Sequence, residues 1–284
     1  MVAVPERGGF STPATTVDDM LSHRFQPAAD RAVTMVVPVY NESHRFVRFA
    51  EPLVEFMLTQ PAGSQLLFVD DGSTDGTCEL IDDLRASSPA VGRRVRSLRC
   101  PHRGKGGAVR AGLESARTPV AGFCDLDLST SLPDFSRLIH RANARRALVI
   151  ASRHVGASRV TRDQSQTRQV LGRAFNAAAR LMLVPGVGDT QCGAKVAQTD
   201  VWRTLLAFCV EDGFAWDVEL IAVAMGLGMP VQEVGVTWRH ERGSTVRVAR
   251  DGTDMLRALL RIRRRMRSEL RLGTPRLAVR SVAE

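Results

Sequence analysis

Asp125 and Asp127 stand one residue apart directly after Val120–Cys124, a mostly apolar run of the kind a buried parallel strand uses. In an extended chain alternate side chains share a face, so the two carboxylates would point the same way with Leu126 between them. Aligned carboxylates at a strand end are costly unless something positive sits between them. A divalent ion that also meets a phosphorylated ligand would supply that charge, and all-oxygen donors suit Mg2+ or Mn2+. The bland alternative is a solvated loop that happens to carry two acids.

Three other turns carry residues capable of chemistry. Asp70-Asp71-Gly72-Ser73-Thr74-Asp75-Gly76 is acidic and glycine-bearing, and its Asp and Ser side chains equally suit turn building and helix capping. Lys105 lies between glycines in Arg103-Gly104-Lys105-Gly106-Gly107, ahead of a helical stretch, where backbone N–H groups and an ammonium can meet phosphate. The spacing of a P-loop is absent. Asn41-Glu42-Ser43 closes a further apolar run.

The elements that must position these turns follow one pattern. AVTMVVPVY from Ala32 reads as a strand buried on both faces, followed by a helix to about Thr59 with Phe46, Phe49, Leu53 and Phe56 on one side. A second strand over 65–69 precedes the Asp70 turn and a helix over 77–86. A third strand over 94–99 precedes the Lys105 turn and a helix through Ala116. The strand Val120–Cys124 then delivers Asp125 and Asp127. Strand, turn and helix repeated in this way imply right-handed crossovers and a parallel sheet, whose ligands bind beyond the carboxyl ends of the strands. All four turns belong to that edge. Further on, the pattern predicts a helix over 135–145, a strand over 147–151, a polar mobile loop over 152–168 and a helix over 170–183. Helices near 200–208 and up to Met225, a strand over 231–238 and a basic helix over 252–270 complete it. Residues 1–30 and 273–284 read as flexible ends, bracketing a domain over 31–250 and the basic helix over 251–272.

Composition excludes several classes. With 284 residues, 44% of them hydrophobic, the chain can fill the core of one large α/β domain. No window approaches a membrane span, and no secretory signal pattern opens the chain. The five cysteines are odd in number and lack C-x-x-C spacing, which favours reduced, packing cysteines in a cytoplasmic protein. The net charge of +9 is concentrated in Arg257, Arg261, Arg263, Arg264, Arg265, Arg267 and Arg271, by default a solvated helix face but one able to meet anionic lipid. A single tyrosine and no recognised module argue against a nucleic-acid partner.

The motifs Val37-Pro38-Val39-Tyr40-Asn41-Glu42, Val69-Asp70-Asp71-Gly72-Ser73-Thr74-Asp75, Gly104-Lys105-Gly106-Gly107 and Asp125-Leu126-Asp127 occur in that order. Asp189-Thr190-Gln191-Cys192-Gly193 with Lys195, Ala215-Trp216-Asp217-Val218-Glu219 and Gly243-Ser244 follow. Together, over residues 33–263, they resemble family 2 glycosyltransferases of the GT-A fold, and more narrowly the polyprenyl-phosphate sugar transferases, dolichyl-phosphate β-glucosyltransferases among them. The resemblance implies a Rossmann-like, mostly parallel α/β sheet flanked by helices in a single domain. It implies metal-dependent, inverting transfer of a hexose from a nucleoside diphosphate sugar, with UDP-glucose favoured and Mg2+ or Mn2+ as cofactor.

Each motif then has an implied task. Pro38, Tyr40 and Glu42 would lie along the nucleoside, with Glu42 accepting from a ribose hydroxyl. Asp71 with Asp70 would accept from the base, which suits the N3–H of uracil. Lys105 and Arg153 would meet the diphosphate, and Asp127, with Asp125 directly or through water, would hold the metal. Asp217 matches the position of the base that takes the acceptor's proton; where the acceptor is already a phosphate anion, it positions rather than activates. Glu219 cannot share its face of a helix and is a supporting residue. Asp189, Gln191, Lys195, Trp216, Arg242, Ser244 and Arg247 would form the acceptor and sugar pocket. Gln191 suits a tight turn equally well, and Trp216 reads more readily as core.

Two departures bear on the acceptor. Where the polyprenyl-phosphate branch often reads Gly-Ser-Lys, this chain has Gly243-Ser244-Thr245, so either Arg247 replaces the cation or the phosphate there has gone. The N-terminal membrane span of the eukaryotic enzymes is not seen either. The expected acceptor is a polyprenyl phosphate at the cytoplasmic face of a membrane, with peripheral contact through the basic helix. The alternatives are a soluble small-molecule acceptor and, more remotely, a non-catalytic nucleotide-sugar-binding protein.

Overall fold

The computed structural model describes residues 31–156, 158–162, 166–239 and 248–271. The seven residues of strand β1 (Val33–Val39) are nearly all buried, and a strand buried on both faces needs helices on both sides. Around it stands a seven-stranded sheet ordered β3-β2-β1-β4-β7-β5-β8. Its members are β2 (Gln65–Asp70), β3 (Val95–Arg99), β4 (Val120–Cys124), β5 (Leu148–Ser152), β7 (Ala194–Gln198) and β8 (Val231–Gly235). All pairings are parallel except those of β7, which runs antiparallel to β4 and β5. The expected fold is therefore observed: a single, mostly parallel α/β sheet flanked by helices.

Alternating strand residues divide the core. Val33, Met35 and Val37 pack with Phe46, Phe49, Leu53 and Phe56 of α1 (Ser43–Thr59) and Phe135, Leu138 and Ile139 of α5 (Leu132–Ala144). On the other face Val36, Val69 and Phe123 pack with α4 (Lys105–Ser115), α7 (Thr199–Leu206) and α8 (Trp216–Gly226). Short helices α2 (Thr77–Ala86) and α3 (Pro89–Arg94) lead into β3. Helix α6 (Gln166–Met182) packs on α9 (Val248–Arg271), which also lies against α8. Among the described residues no helix is long and apolar enough to cross a membrane.

The structure adds two elements that the pattern did not predict, α3 and β7, and departs from the sequence expectations in three further places. The stretch expected as a mobile loop over 152–168 contains strand β6 (Arg159–Arg162), and α6 begins at Gln166. The strand expected over 231–238 divides into β8 and β9 (Thr237–Arg239), and β9 pairs with β6 in a second, two-stranded sheet. The division has a local cause. The Val236 N–H still donates to the Ser152 carbonyl at 3.1 Å, but the Thr237 N–H turns to the Asp134 carboxylate at 2.8 Å. Finally, β4 ends at Cys124 and Asp125-Leu126-Asp127 lies in a turn, with Leu126 buried and Leu128 at φ 50°. Strand alternation does not align the two carboxylates; the turn positions them. The expected flexible ends at 1–30 and 273–284, together with residues 240–247, lie outside the described residues.

Helix α9 is fastened to the domain through Glu219. This fully buried carboxylate accepts from the backbone N–H groups of Val210 and Glu211, both at 2.9 Å, and from Arg265 Nη2 at 2.7 Å. Glu219→Ala removes the carboxylate that Arg265 and two backbone amides share, so a loss of about 3 kcal/mol is expected. A lower urea midpoint at unchanged slope would show it.

Candidate active site

The β1 and β2 edge turns are tied to each other. Asn41, at φ 51°, donates its N–H to Ser73 Oγ at 2.9 Å and accepts from the Thr74 N–H at 2.8 Å. Asp70 accepts from the N–H groups of Gly72 and Ser73, while Asp71 accepts from those of Arg103 at 2.9 Å and Gly104 at 2.8 Å. Both are 3% exposed, and both hold turns together; Asp71 thereby anchors the loop that carries Lys105. Glu42 is bound by Arg45 through two contacts of 2.5 and 2.7 Å. Pro38 lies half-buried near the end of β1. Tyr40 is exposed and stacks on His102 at 4.2 Å between ring centroids, and His102 Nδ1 lies 2.9 Å from Asp71. The pair offers a flat edge beside the two acids.

The centre of the edge is a cluster of charges around Phe123. Lys105 Nζ lies 2.7 Å from Asp125 Oδ1 and 5.8 Å from the Phe123 ring centroid. Lys195 Nζ lies 5.4 Å from the same ring, 2.5 Å from Asp217 Oδ1 and 3.1 Å from the Cys192 carbonyl. Lys195 and Asp217 are buried, so Lys195 does not line an open pocket; it fixes Asp217 at the start of α8. Burial holds the Asp125 carboxyl above its usual range, with Lys105 opposing and Asp127 adding to the shift. Burial works against the Lys105 ammonium, yet Asp125, Asp217 and Asp127 outweigh it and hold it above the usual lysine range. Burial also keeps the neighbouring thiols protonated, pushing Cys192 up to about 12 and Cys124 well above its ordinary value. Nucleophilic cysteine chemistry has no support here.

Two glycines permit these approaches. A Cβ on Gly193 would overlap the Asp125 carboxylate, and one on Gly106 would come 2.5 Å from Trp216 Cβ. Trp216 is 1% exposed, packs edge-on against Phe123 at 5.5 Å and is a core aromatic. Gln191 donates its N–H to Asp189 at 3.1 Å, as part of a turn.

Arg153 and Asp189, expected to face separate ligands, are joined to each other. Arg153 Nε and Nη2 reach the carboxylate at 2.6 and 2.9 Å, and the Arg153 N–H adds a bond of 2.9 Å. The guanidinium also lies 5.2 Å from the Trp238 ring centroid. Arg242, Ser244 and Arg247 lie outside the described residues.

Asp125 and Asp127 offer oxygen donors alone. Asp127 Oδ1 accepts from the Ser129 N–H at 3.0 Å, and its Oδ2 has no partner among the described residues. No group of three His, Cys, Asp or Glu side chains among the described residues is arranged to hold a metal. Two carboxylates from one turn nevertheless fit Mg2+ or Mn2+, which take their other ligands from phosphate and water.

A family model described as Glycosyl transferase family 2 matches residues 34–204. The chain belongs to that family. It is a glycosyltransferase. A dolichyl-phosphate β-glucosyltransferase of Dictyostelium discoideum is 28% identical over 241 residues, covering 81% of this chain and 73% of that one. One from Drosophila melanogaster is 31% identical over 224 residues, covering 75% and 68%. Glucosyl-3-phosphoglycerate synthase from Mycobacterium tuberculosis, solved with UDP, shares the fold with a TM-score of 0.57 at 20% identity, over 90% of this chain and 86% of that one. The same synthase has been solved with UDP and Mg2+ or Mn2+.

Within this glycosyltransferase several site residues gave no signal in the sequence. His102 follows Pro101 in an ordinary polar stretch, and only the fold stacks it on Tyr40. Asp212 holds Arg103 and Arg110 and accepts nothing predictable from its own neighbours. Glu233 on β8 accepts from the N–H groups of Gly188 and Asp189 at 2.7 and 3.0 Å and shapes the Asp189 turn. Phe123 was legible as a strand residue but not as the ring beneath two ammonium groups.

Two stability predictions follow from the pairs. Lys195→Met leaves Asp217 buried without its cation and is expected to cost about 3–5 kcal/mol; adding Asp217→Asn should restore much of it in a double-mutant cycle read by urea unfolding. Asp189 is lowered from 3.8 to about 2, burial opposing and the Arg153 bonds prevailing. A depressed carboxyl stabilises the fold above its unfolded value and loses that contribution as pH falls through its folded value. Roughly 2 kcal/mol should therefore vanish between about pH 4 and pH 2. Asp189→Asn should flatten that part of the stability profile.

Proposed function

We propose that this glycosyltransferase moves a hexose, glucose from UDP-glucose, onto the phosphate of a polyprenyl phosphate with inversion, assisted by Mg2+ or Mn2+. The observation that carries the acceptor half is the Lys195–Asp217 pair. The buried Asp217 carboxylate is committed to the Lys195 ammonium at 2.5 Å as part of the core. Such a group suits an acceptor that has already lost its proton. A phosphate, with its second pKa of about 6, is such an acceptor at neutral pH. The relatives named for dolichyl phosphate support the same class.

On this reading the acceptor oxygen attacks the anomeric carbon from the face opposite the nucleotide, and the bond from that carbon to the UDP oxygen breaks. No proton has to move. Asp217 orients the acceptor, and Lys195 holds that carboxylate in place. Lys105 exchanges Asp125 for the diphosphate, and Arg153, whose Nη1 is unbonded among the described residues, meets a phosphate oxygen. Tyr40 and His102 flank the uracil. Asp125 and Asp127 hold the divalent ion, which when bound stabilises the negative charge on departing UDP.

Incubation with radiolabelled UDP-glucose, Mn2+ and polyprenyl phosphate is the direct test, followed by organic extraction. The expected result is label in an extractable product that needs the lipid and is abolished by EDTA. Label in a water-soluble product without lipid would move the acceptor to a small molecule. Asp127→Asn should lower kcat/KM roughly a hundredfold or more, and Lys105→Met should raise KM for the nucleotide sugar by about tenfold. Asp217→Asn should lower kcat by less than about a hundredfold, below the usual contribution of a general base. A larger loss, with the acid limb of the pH profile erased, would restore Asp217 as the base.

A further inference from the structure

Helix α6 contains no acidic residue over 166–182, and α9 contains none over 255–268. The two helices pack against each other. Each also exposes large apolar side chains that a solvated helix face would ordinarily bury or lack. On α6, Val170 is 62% and Leu181 88% exposed, eleven residues apart and so nearly in line along the helix. On α9, Leu256 is 49% and Leu260 45% exposed, one turn apart.

Arginines surround these four residues. Leu256, Leu260, Arg263, Arg264 and Arg267 recur at the spacing of a single helix face. Arg263, Arg264 and Arg267 have no carboxylate partner among the described residues, and neither do Arg173 and Arg180 on α6. The arginines of the opposite flank of α9 are used differently. Arg261 binds Glu211 at 2.9 Å and Arg265 binds buried Glu219 at 2.7 Å, so that flank fastens the helix and fixes which face points outward.

We infer that the outer faces of α6 and α9 form a docking surface for an anionic lipid bilayer. Apolar side chains set among arginines without carboxylate partners among the described residues match the acyl boundary and the acidic headgroups together, whereas nucleic acid would use the charge alone. The placement also serves the site. The chain leaving α6 returns through Asp189 and Gln191 to β7 and Lys195, and α9 is bound through Glu219 to the helix that begins with Asp217. Resting on the lipid-acceptor reading above, the surface brings the membrane to the acceptor side of the sheet edge.

The test is co-sedimentation of the full chain with vesicles of phosphatidylcholine, with or without phosphatidylglycerol and free of any polyprenyl phosphate. The wild-type chain should pellet with the anionic vesicles and not with the neutral ones. Leu181→Asp with Leu260→Asp, and separately Arg264→Glu with Arg267→Glu, should each weaken that binding by about tenfold or more. Transfer to a short-chain, water-soluble prenyl phosphate should stay unchanged in both variants, which also shows that they fold. Failure of the wild-type chain to pellet, or equal pelleting by the variants, would overturn the surface. So would binding that ignores the leucines and passes equally to duplex DNA. Failure of the wild-type chain to bind vesicles while it still transfers sinks the surface alone; vesicle binding without transfer to any prenyl phosphate sinks the acceptor reading alone.

Discussion

Three carboxylates share one edge of the sheet because two ammonium groups stand among them. Asp125 is met by Lys105 and Asp217 by Lys195, with both cations above the ring of Phe123. Without these cations the carboxylates would repel one another and loosen the turns that carry them. Paired, the cluster retains one net negative charge, carried by an aspartate whose Oδ2 has no partner among the described residues. Much of the surrounding architecture serves these contacts. Gly193 lets the β7 turn close over Asp125, Gly106 lets α4 meet α8, and Asp71 holds the loop that presents Lys105.

The same pairing divides the site into a fixed half and an exchangeable half. Lys195 and Asp217 lie in the core, one on a central strand and one on a helix buried nearly all round, so their bond is part of the fold. Lys105 is the first residue of α4, partly exposed, at a helix N-terminus that favours anions. A diphosphate can draw it from Asp125 without disturbing the core. Arg153 is intermediate: two of its nitrogens are committed to Asp189, which leaves the outward end of the guanidinium for a ligand.

The sequence shows the turns far better than the pairs. Continuous apolar runs ending in Asp70-Asp71, Lys105 and Asp125-Leu126-Asp127 announce a parallel sheet with its chemistry at one edge, since that is where such strands must end. Which cation meets which carboxylate depends on elements brought together over 20 (Asp125 to Lys105), 22 (Lys195 to Asp217) and 36 (Arg153 to Asp189) residues of chain. No local pattern encodes that. The antiparallel course of β7 was equally silent, yet it sets Lys195 beside Phe123 in register. The strand ends at Cys124 as expected; alternation failed at Asp125 and Asp127 because the chain beyond it turns rather than staying extended. The division of β8 from β9 was hidden for a similar reason: it depends on Asp134, about a hundred residues upstream, capturing one amide.

Binding at such a site is an exchange of partners rather than a filling of empty space. On the proposed reading, a diphosphate would have to better the bond between Lys105 and Asp125, and a divalent ion would then satisfy the carboxylate that Lys105 had left. Each exchange alone strands a charge in a half-buried setting; the two together do not. Nucleotide and metal should therefore support each other's binding, because either one removes the penalty that opposes the other. The coupling follows from one cation, Lys105, standing between Asp125 and the place where phosphate would bind.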